Sequence, residues 1–157
     1  MVQYSHTRRV EFQFVDDDIT FQQELDAVPF LGGGTFTGKA LDFAYEEIIK
    51  DKTRPGVKVV MVVLTDGISF DNFLTPTNLI KNQGIDIFAV GYGAASESQL
   101  NIIASDPDEE YMYIGTSMEE LLQFSSNLTR KLCSEEVVTS GRRDLHILKD
   151  EIFDIDY

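Results

Sequence analysis

The chain has 157 residues, 43% of them hydrophobic and 11% aromatic, which suits one domain with a real core. Its 27 acidic and 13 basic side chains leave a formal charge of −14, which argues against a nucleic-acid or anionic-membrane partner and is compatible with divalent cations or basic surfaces. No apolar run reaches the roughly 18 residues of a membrane span, and Met1-Val2-Gln3-Tyr4 enters strand-like sequence directly, so any export signal is expected outside this chain.

In chain order, Val2–Tyr4 and Val10–Phe14 read as two short strands joined by the turn Ser5-His6-Thr7-Arg8-Arg9; Val10, Phe12 and Phe14 alternate with polar residues. The carboxylates Asp16-Asp17-Asp18 read as a solvated loop before a helix. Thr20-Phe21-Gln22-Gln23 is a capping box for a short helix carrying Phe21, Leu25 and Val28, and Pro29 ends it. A glycine-rich loop follows, then a helix with Leu41, Ala44, Tyr45, Ile48 and Ile49 at helical spacing, stopped by Arg54-Pro55-Gly56.

Val59-Val60-Met61-Val62-Val63-Leu64 is apolar at every position, the pattern of a central parallel strand covered on both faces. Thr75-Pro76 marks a helix start, Asp86–Val90 the next strand, Ser96-Glu97-Ser98-Gln99 a capped helix through Ala104, and Tyr111–Ile114 a further strand. Ser117-Met118-Glu119-Glu120 caps a last helix with Met118, Leu121, Leu122, Leu128 and Leu132. Alternating helices and strands predict an α/β fold: a mostly parallel sheet with helices on both faces. Ligands of such sheets bind at the carboxyl ends of the strands, where Asp66 lies.

The chemistry concentrates in two segments. Gly32-Gly33-Gly34-Thr35-Phe36-Thr37-Gly38-Lys39 is a flexible loop with two hydroxyls entering a helix, and Leu64-Thr65-Asp66-Gly67 puts a carboxylate at the end of the apolar strand. Thr and Asp at two loop ends are hard-cation ligands. Gly33, Gly38 and Lys39 also have P-loop spacing, but Ala40 stands where that motif needs a Ser or Thr, and the loop follows a helix and Pro29 in place of a strand. No Ser-His-Asp, Cys-His or paired-carboxylate constellation is present, so no enzyme is predicted. His6 and His146 are isolated and read as surface residues.

Several of these segments together resemble a von Willebrand factor A domain, most of all the collagen VI and matrilin modules. Val2-Gln3-Tyr4-Ser5 with Val10-Glu11-Phe12 is similar to that family's second and third strands. Phe30–Leu41 is similar to its second metal-site loop, Val62–Gly67 to its third, and Gly84–Gly91 to its next strand. The resemblance covers residues 1–133 and implies a Rossmann-like fold with one antiparallel edge strand. It further implies an extracellular, secreted adhesion module that binds matrix or cell-surface proteins through a magnesium-dependent site. Thr35 would coordinate the ion through its hydroxyl and Asp66 directly or through water. An intracellular scaffold of the same fold in a multiprotein complex is the alternative.

The departure from the family is large. The family's first strand, its Asp-x-Ser-x-Ser loop and its first helix are expected to be absent here, an N-terminal truncation that removes most of the ligands and implies weak or no magnesium binding by the chain as given. The family's first strand runs between the strands matched by Val2–Ser5 and Val59–Leu64. The resemblance also implies that the single cysteine, Cys133, pairs with a residue outside the chain. Residues 134–157 read as a linker or tail, or the start of a following module. An insertion of the Arg143–Asp154 segment into the empty slot as a first strand, with Asp150 at the Asp position and Ile152 and Asp154 where serines belong, is a further reading; a metal-free module is another. Asn127-Leu128-Thr129 is a glycosylation sequon.

Overall fold

The computed structural model describes residues 1–15, 17–53, 57–134 and 144–149; within these, it gives only the backbone course of Met118, Asn127, 129–134 and 144–149. The described strands are β1 (Val2–Tyr4), β2 (Arg8–Val10), β3 (Val59–Thr65), β4 (Asp86–Tyr92), β5 (Met112–Gly115) and β6 (Asp144–Lys149). The helices are α1 (Asp18–Asp26), α2 (Thr37–Ala44), α3 (Leu74–Asn82), α4 (Glu97–Ile103), α5 (Asp108–Tyr111) and α6 (Met118–Ser134). They build one sheet in the order β2-β1-β6-β3-β4-β5, with every neighbouring pair parallel except the β1–β2 edge.

The apolar run of β3 behaves as its pattern requires. Val59, Met61 and Val63 pack with Ile87 and Ala89 of β4 beneath Ala40, Leu41 and Ala44 of α2, Ile80 of α3 and Leu100 and Ile103 of α4. On the other face, Val60 and Val62 pack with Phe88, Val90 and Leu121, the last from α6. Each such fully buried side chain contributes about 1.5–3 kcal/mol of transfer free energy. After α2 the helix widens into a π-helical turn, Tyr45–Ile49, in which both Ile48 and Ile49 are buried.

Three expectations shift. The second strand spans Arg8–Val10 and not Val10–Phe14: the ladder runs from Tyr4↔Arg8 to Val2↔Val10 and closes with a bond from the Glu11 amide to the Met1 carbonyl at 3.1 Å. Phe12 packs instead edge-on against Phe21 of α1, ring centroids 5.5 Å apart. Helix α1 begins earlier than its capping box implied: Asp17 is the cap, its Oδ1 accepting from the Thr20 amide at 2.8 Å. The Ser117 box forms, with the Glu120 amide donating to Ser117 Oγ and the Thr116 amide to the Glu120 carboxylate. Ser96 makes no such bond; its hydroxyl meets that of Ser98.

Residues 144–149 lie inside the sheet. β6 runs parallel to β1 on one side (Val2↔Leu148, Gln3↔Lys149) and to β3 along six positions on the other, from Val59↔Asp144 to Leu64↔Lys149. This is the place that the family resemblance assigns to the first strand, and the strand-insertion reading is the one that matches it. Asp150 lies outside the described residues, as do 135–143 and 151–157.

Candidate functional site

The carboxyl end of β3 and the amino end of α2 meet. Gly32 and Gly33 have positive φ, 58° and 134°, a backbone region that costs glycine little. That bend carries the loop back over the β1–β2 turn, where the Gly34 amide donates to His6 Nδ1 at 2.8 Å. A Cβ at Gly33 would lie 2.6 Å from the same nitrogen. The imidazole also meets the Phe36 ring, centroids 5.1 Å apart. His6 is exposed, as expected from sequence, but it positions the glycine loop.

Thr35 follows and is buried, 8% exposed. Its carbonyl accepts from the Phe70 amide at 3.0 Å. Its Oγ1 packs directly over Gly67, where any Cβ would overlap it. The hydroxyl of the first loop therefore sits against the residue that follows Asp66 in the second. Thr35 is not the helix cap. The first amides of α2 are taken from across the site: Thr37 donates to Ser69 Oγ (3.2 Å), Gly38 to Asp71 Oδ1 (2.9 Å) and Lys39 to Asp71 Oδ2 (2.8 Å). The donors on which a P-loop would hold phosphate are thus occupied by a carboxylate of the protein itself. A Cβ at Gly38 would overlap the Asn72 carbonyl, so the Gly38-Lys39 pair reflects close packing of the 69–73 loop on α2.

That loop is held in turn. Ser69 Oγ donates to Asp71 Oδ1 at 2.7 Å, and the Gln99 amide of α4 closes both ways on the Ser69 backbone, accepting at 2.7 Å and donating at 3.1 Å. The Asp66 carbonyl accepts from the Ala94 amide just beyond β4. The Asp66 carboxyl is half-buried, and burial pushes its pKa above the usual carboxylate range, opposed in part by a hydrogen bond from its own backbone. The half-buried carboxylate of Asp66 and the buried hydroxyl of Thr35, which packs on the next residue, Gly67, are both hard oxygen donors. Among the described residues, no group of three or more His, Cys, Asp or Glu side chains is placed to hold a metal ion. Phe30, Ile68 and Phe70 are exposed on these same loops and give them an apolar rim.

The von Willebrand factor type A domain model matches residues 1–127. The chain belongs to that family. It is 38% identical over 141 residues to the collagen alpha-1(XII) chain of Notophthalmus viridescens, covering 84% of this chain and 15% of that one. It is 33% identical to the human collagen alpha-5(VI) chain over 99% of its length and 6% of the relative's. Vitrin of Bos taurus is 31% identical, over 85% of this chain and 21% of its own. The chain therefore spans about a fifth or less of these relatives. Among solved structures, proximal thread matrix protein 1 of the mussel byssus, described with a zinc-occupied MIDAS motif, superposes with a TM-score of 0.73 at 26% identity, over 84% of this chain and 34% of that one.

Thr35 and Asp66, the two residues singled out from sequence, stand on the two loops that meet here. Four others were missed as parts of the site: His6, Ser69, Asp71 and Gln99. Each acts through a hydrogen bond to a residue about 30 positions away, and no periodic signal marks such pairs. Gly38 was the available clue, since a glycine opening a helix signals the close approach of something. Cys133 and Asn127 lie on α6, and their side chains are outside what the structure describes.

Proposed function

We propose that the chain is an extracellular matrix-type adhesion module that binds partner proteins through the loops at the carboxyl end of its sheet. The observation that carries this is the packing of Thr35 Oγ1 on Gly67, beside the half-buried Asp66, within a rim of exposed Phe30, Ile68 and Phe70. A polar centre with an apolar surround suits a protein partner. Membership of a family whose collagen and vitrin relatives are matrix proteins supports the same reading.

Thr35 and Asp66 would hold a divalent cation, magnesium in the family, which supplies a positive centre for a carboxylate of the partner. Their chemistry fits such an ion, but two donors fill a third of the near-octahedral oxygen coordination that magnesium demands. The chain as given should therefore bind magnesium no more tightly than roughly millimolar. Titration calorimetry that found micromolar affinity, abolished by Asp66→Ala, would show that further ligands are present. We assign Cys133 to a disulfide with a residue beyond this chain, and Asn127 as a glycan acceptor on α6. Peptide mapping of the secreted parent protein tests both.

The binding reading is tested on a panel of immobilised purified matrix proteins by surface plasmon resonance. At least one should capture the chain, and Thr35→Ala or Asp66→Ala should remove capture without lowering the melting temperature. Capture that is unchanged by either substitution places the interface elsewhere.

A further inference from the structure

Among the described residues, β6 is the strand that joins the two sides of the sheet by backbone pairing, although Val2 and Tyr4 of β1 also share a buried cluster with Met61 and Val63 of β3. Strand β1 does not pair with β3; each pairs with β6, so among the described residues the β2–β1 hairpin and the β3–β4–β5 ladder have no other sheet connection. A slot with a strand edge on each side presents two rows of backbone donors and acceptors that must be satisfied. It is filled by a segment with one covalent tie to the described body, the nine residues 135–143 after α6.

We propose that β6 is an exchangeable strand, and that the slot between β1 and β3 of one copy accepts residues 144–149 of a second copy. The same sequence meets the same two edges in either case, so the ladder bonds formed within a chain and between chains are equivalent. The six-position register against β3 specifies the incoming strand from Val59↔Asp144 to Leu64↔Lys149. What separates the closed from the exchanged form is the effective concentration that the nine-residue connector sets. Exchange of identical elements is a low-cost route to dimers. The module would then self-associate through its sheet interior and leave the loops of the Thr35–Asp66 site outside the interface.

The test uses two full-length chains in a Cys133→Ser background, one tagged and carrying Val62→Cys, the other carrying Ile147→Cys. Val62 and Ile147 are Cα partners across neighbouring strands, at the separation a disulfide can bridge. The chains are unfolded together, refolded together at increasing concentration and oxidised. A disulfide-linked heterodimer should form, increase with concentration, and exceed about tenfold the yield of a register-shifted control, Val62→Cys with Asp144→Cys, whose thiols lie out of bridging range. A yield no greater than the control at every concentration overturns the proposal. If Val62→Cys does not refold, Leu64→Cys with Lys149→Cys at the half-buried end of β3 makes the same measurement. A single chain carrying both thiols separates the ways to fail. An internal cross-link without heterodimer means the strand stays in its own chain, and no cross-link at all means it does not occupy the slot; either result rejects exchange.

Discussion

The sheet has a heavy side and a light side. β3, β4 and β5 are joined by ladders of six and four positions and are covered on both faces by α2, α3, α4 and α6. β1 and β2 share three positions, and the neighbouring α1 has no buried residue. The site is assembled from both. The heavy side supplies Asp66 and Gly67 at the end of β3, the light side supplies His6 from the β1–β2 turn, and the glycine loop spans them, tied to His6 at Gly34 and to Phe70 at Thr35. Rigid strands set the position of the carboxylate, whereas the position of the hydroxyl depends on contacts that hold a loop.

The difference predicts a graded series of mutational effects. The largest belongs to the heavy core: Ile87→Ala empties a fully buried position on β4 and should cost about 2–5 kcal/mol by denaturant unfolding. Leu25→Ala on half-buried α1 should cost no more than about 1 kcal/mol; equal losses would mean that the two sides fold as one dense core. Next is Gly38→Ala, whose methyl would overlap the Asn72 carbonyl and drive the 69–73 loop off α2. We expect about 1–3 kcal/mol, as for other overpacked sites, together with weakened partner capture, because that loop also fixes Thr35 through Phe70.

Asp71→Ala leaves the Gly38 and Lys39 amides without their acceptor and should cost about 1 kcal/mol, the usual worth of a helix cap. Faster hydrogen exchange confined to the first turn of α2 is the signature, and uniform acceleration across the domain would argue against a local cap. The smallest effect is electrostatic. Burial raises the pKa of Asp66 in the folded state, so the native carboxyl holds its proton more tightly than the unfolded one. Its contribution is therefore most favourable below the ordinary carboxylate range and is lost as pH rises through the raised folded value. Asp66→Asn should accordingly stabilise the chain slightly at neutral pH, with the gain vanishing in acid. A variant destabilised at neutral pH would show that the carboxylate has a cationic or hydrogen-bonding partner in the native state.

Much of this molecule is legible in local pattern. An unbroken apolar run from Val59 to Leu64 can be stable only as a strand covered on both faces, and it is one. Glycines before Thr35 and a carboxylate closing β3 marked two loops that the fold brings together, because the bend at Gly32–Gly33 and the strand end at Asp66 are properties of a few consecutive residues. Strand ends were less legible: Phe12 and Phe14 alternate as strand residues do, yet the ladder ends at Val10 with one further backbone bond from Glu11 to Met1, and Phe12 turns to pack on Phe21. The roles of His6, Ser69, Asp71 and Gln99 rest on pairings between distant segments, and each of these residues reads alone as an ordinary surface side chain.

The segment 144–149 shows where local pattern runs out. Residue order left it open as a tail, the start of another module or an inserted strand, since its own propensities permit all three. Its place was decided by the edges of β1 and β3, which face each other across a gap one strand wide and leave their backbone groups unpaired without it. Local sequence could determine which residues form strands, helices and the two loops of the site. Which strand stands at the centre of the sheet, and what holds Thr35 over Gly67, are set by hydrogen bonds between remote parts of the chain, and those exist only once the fold has brought them together.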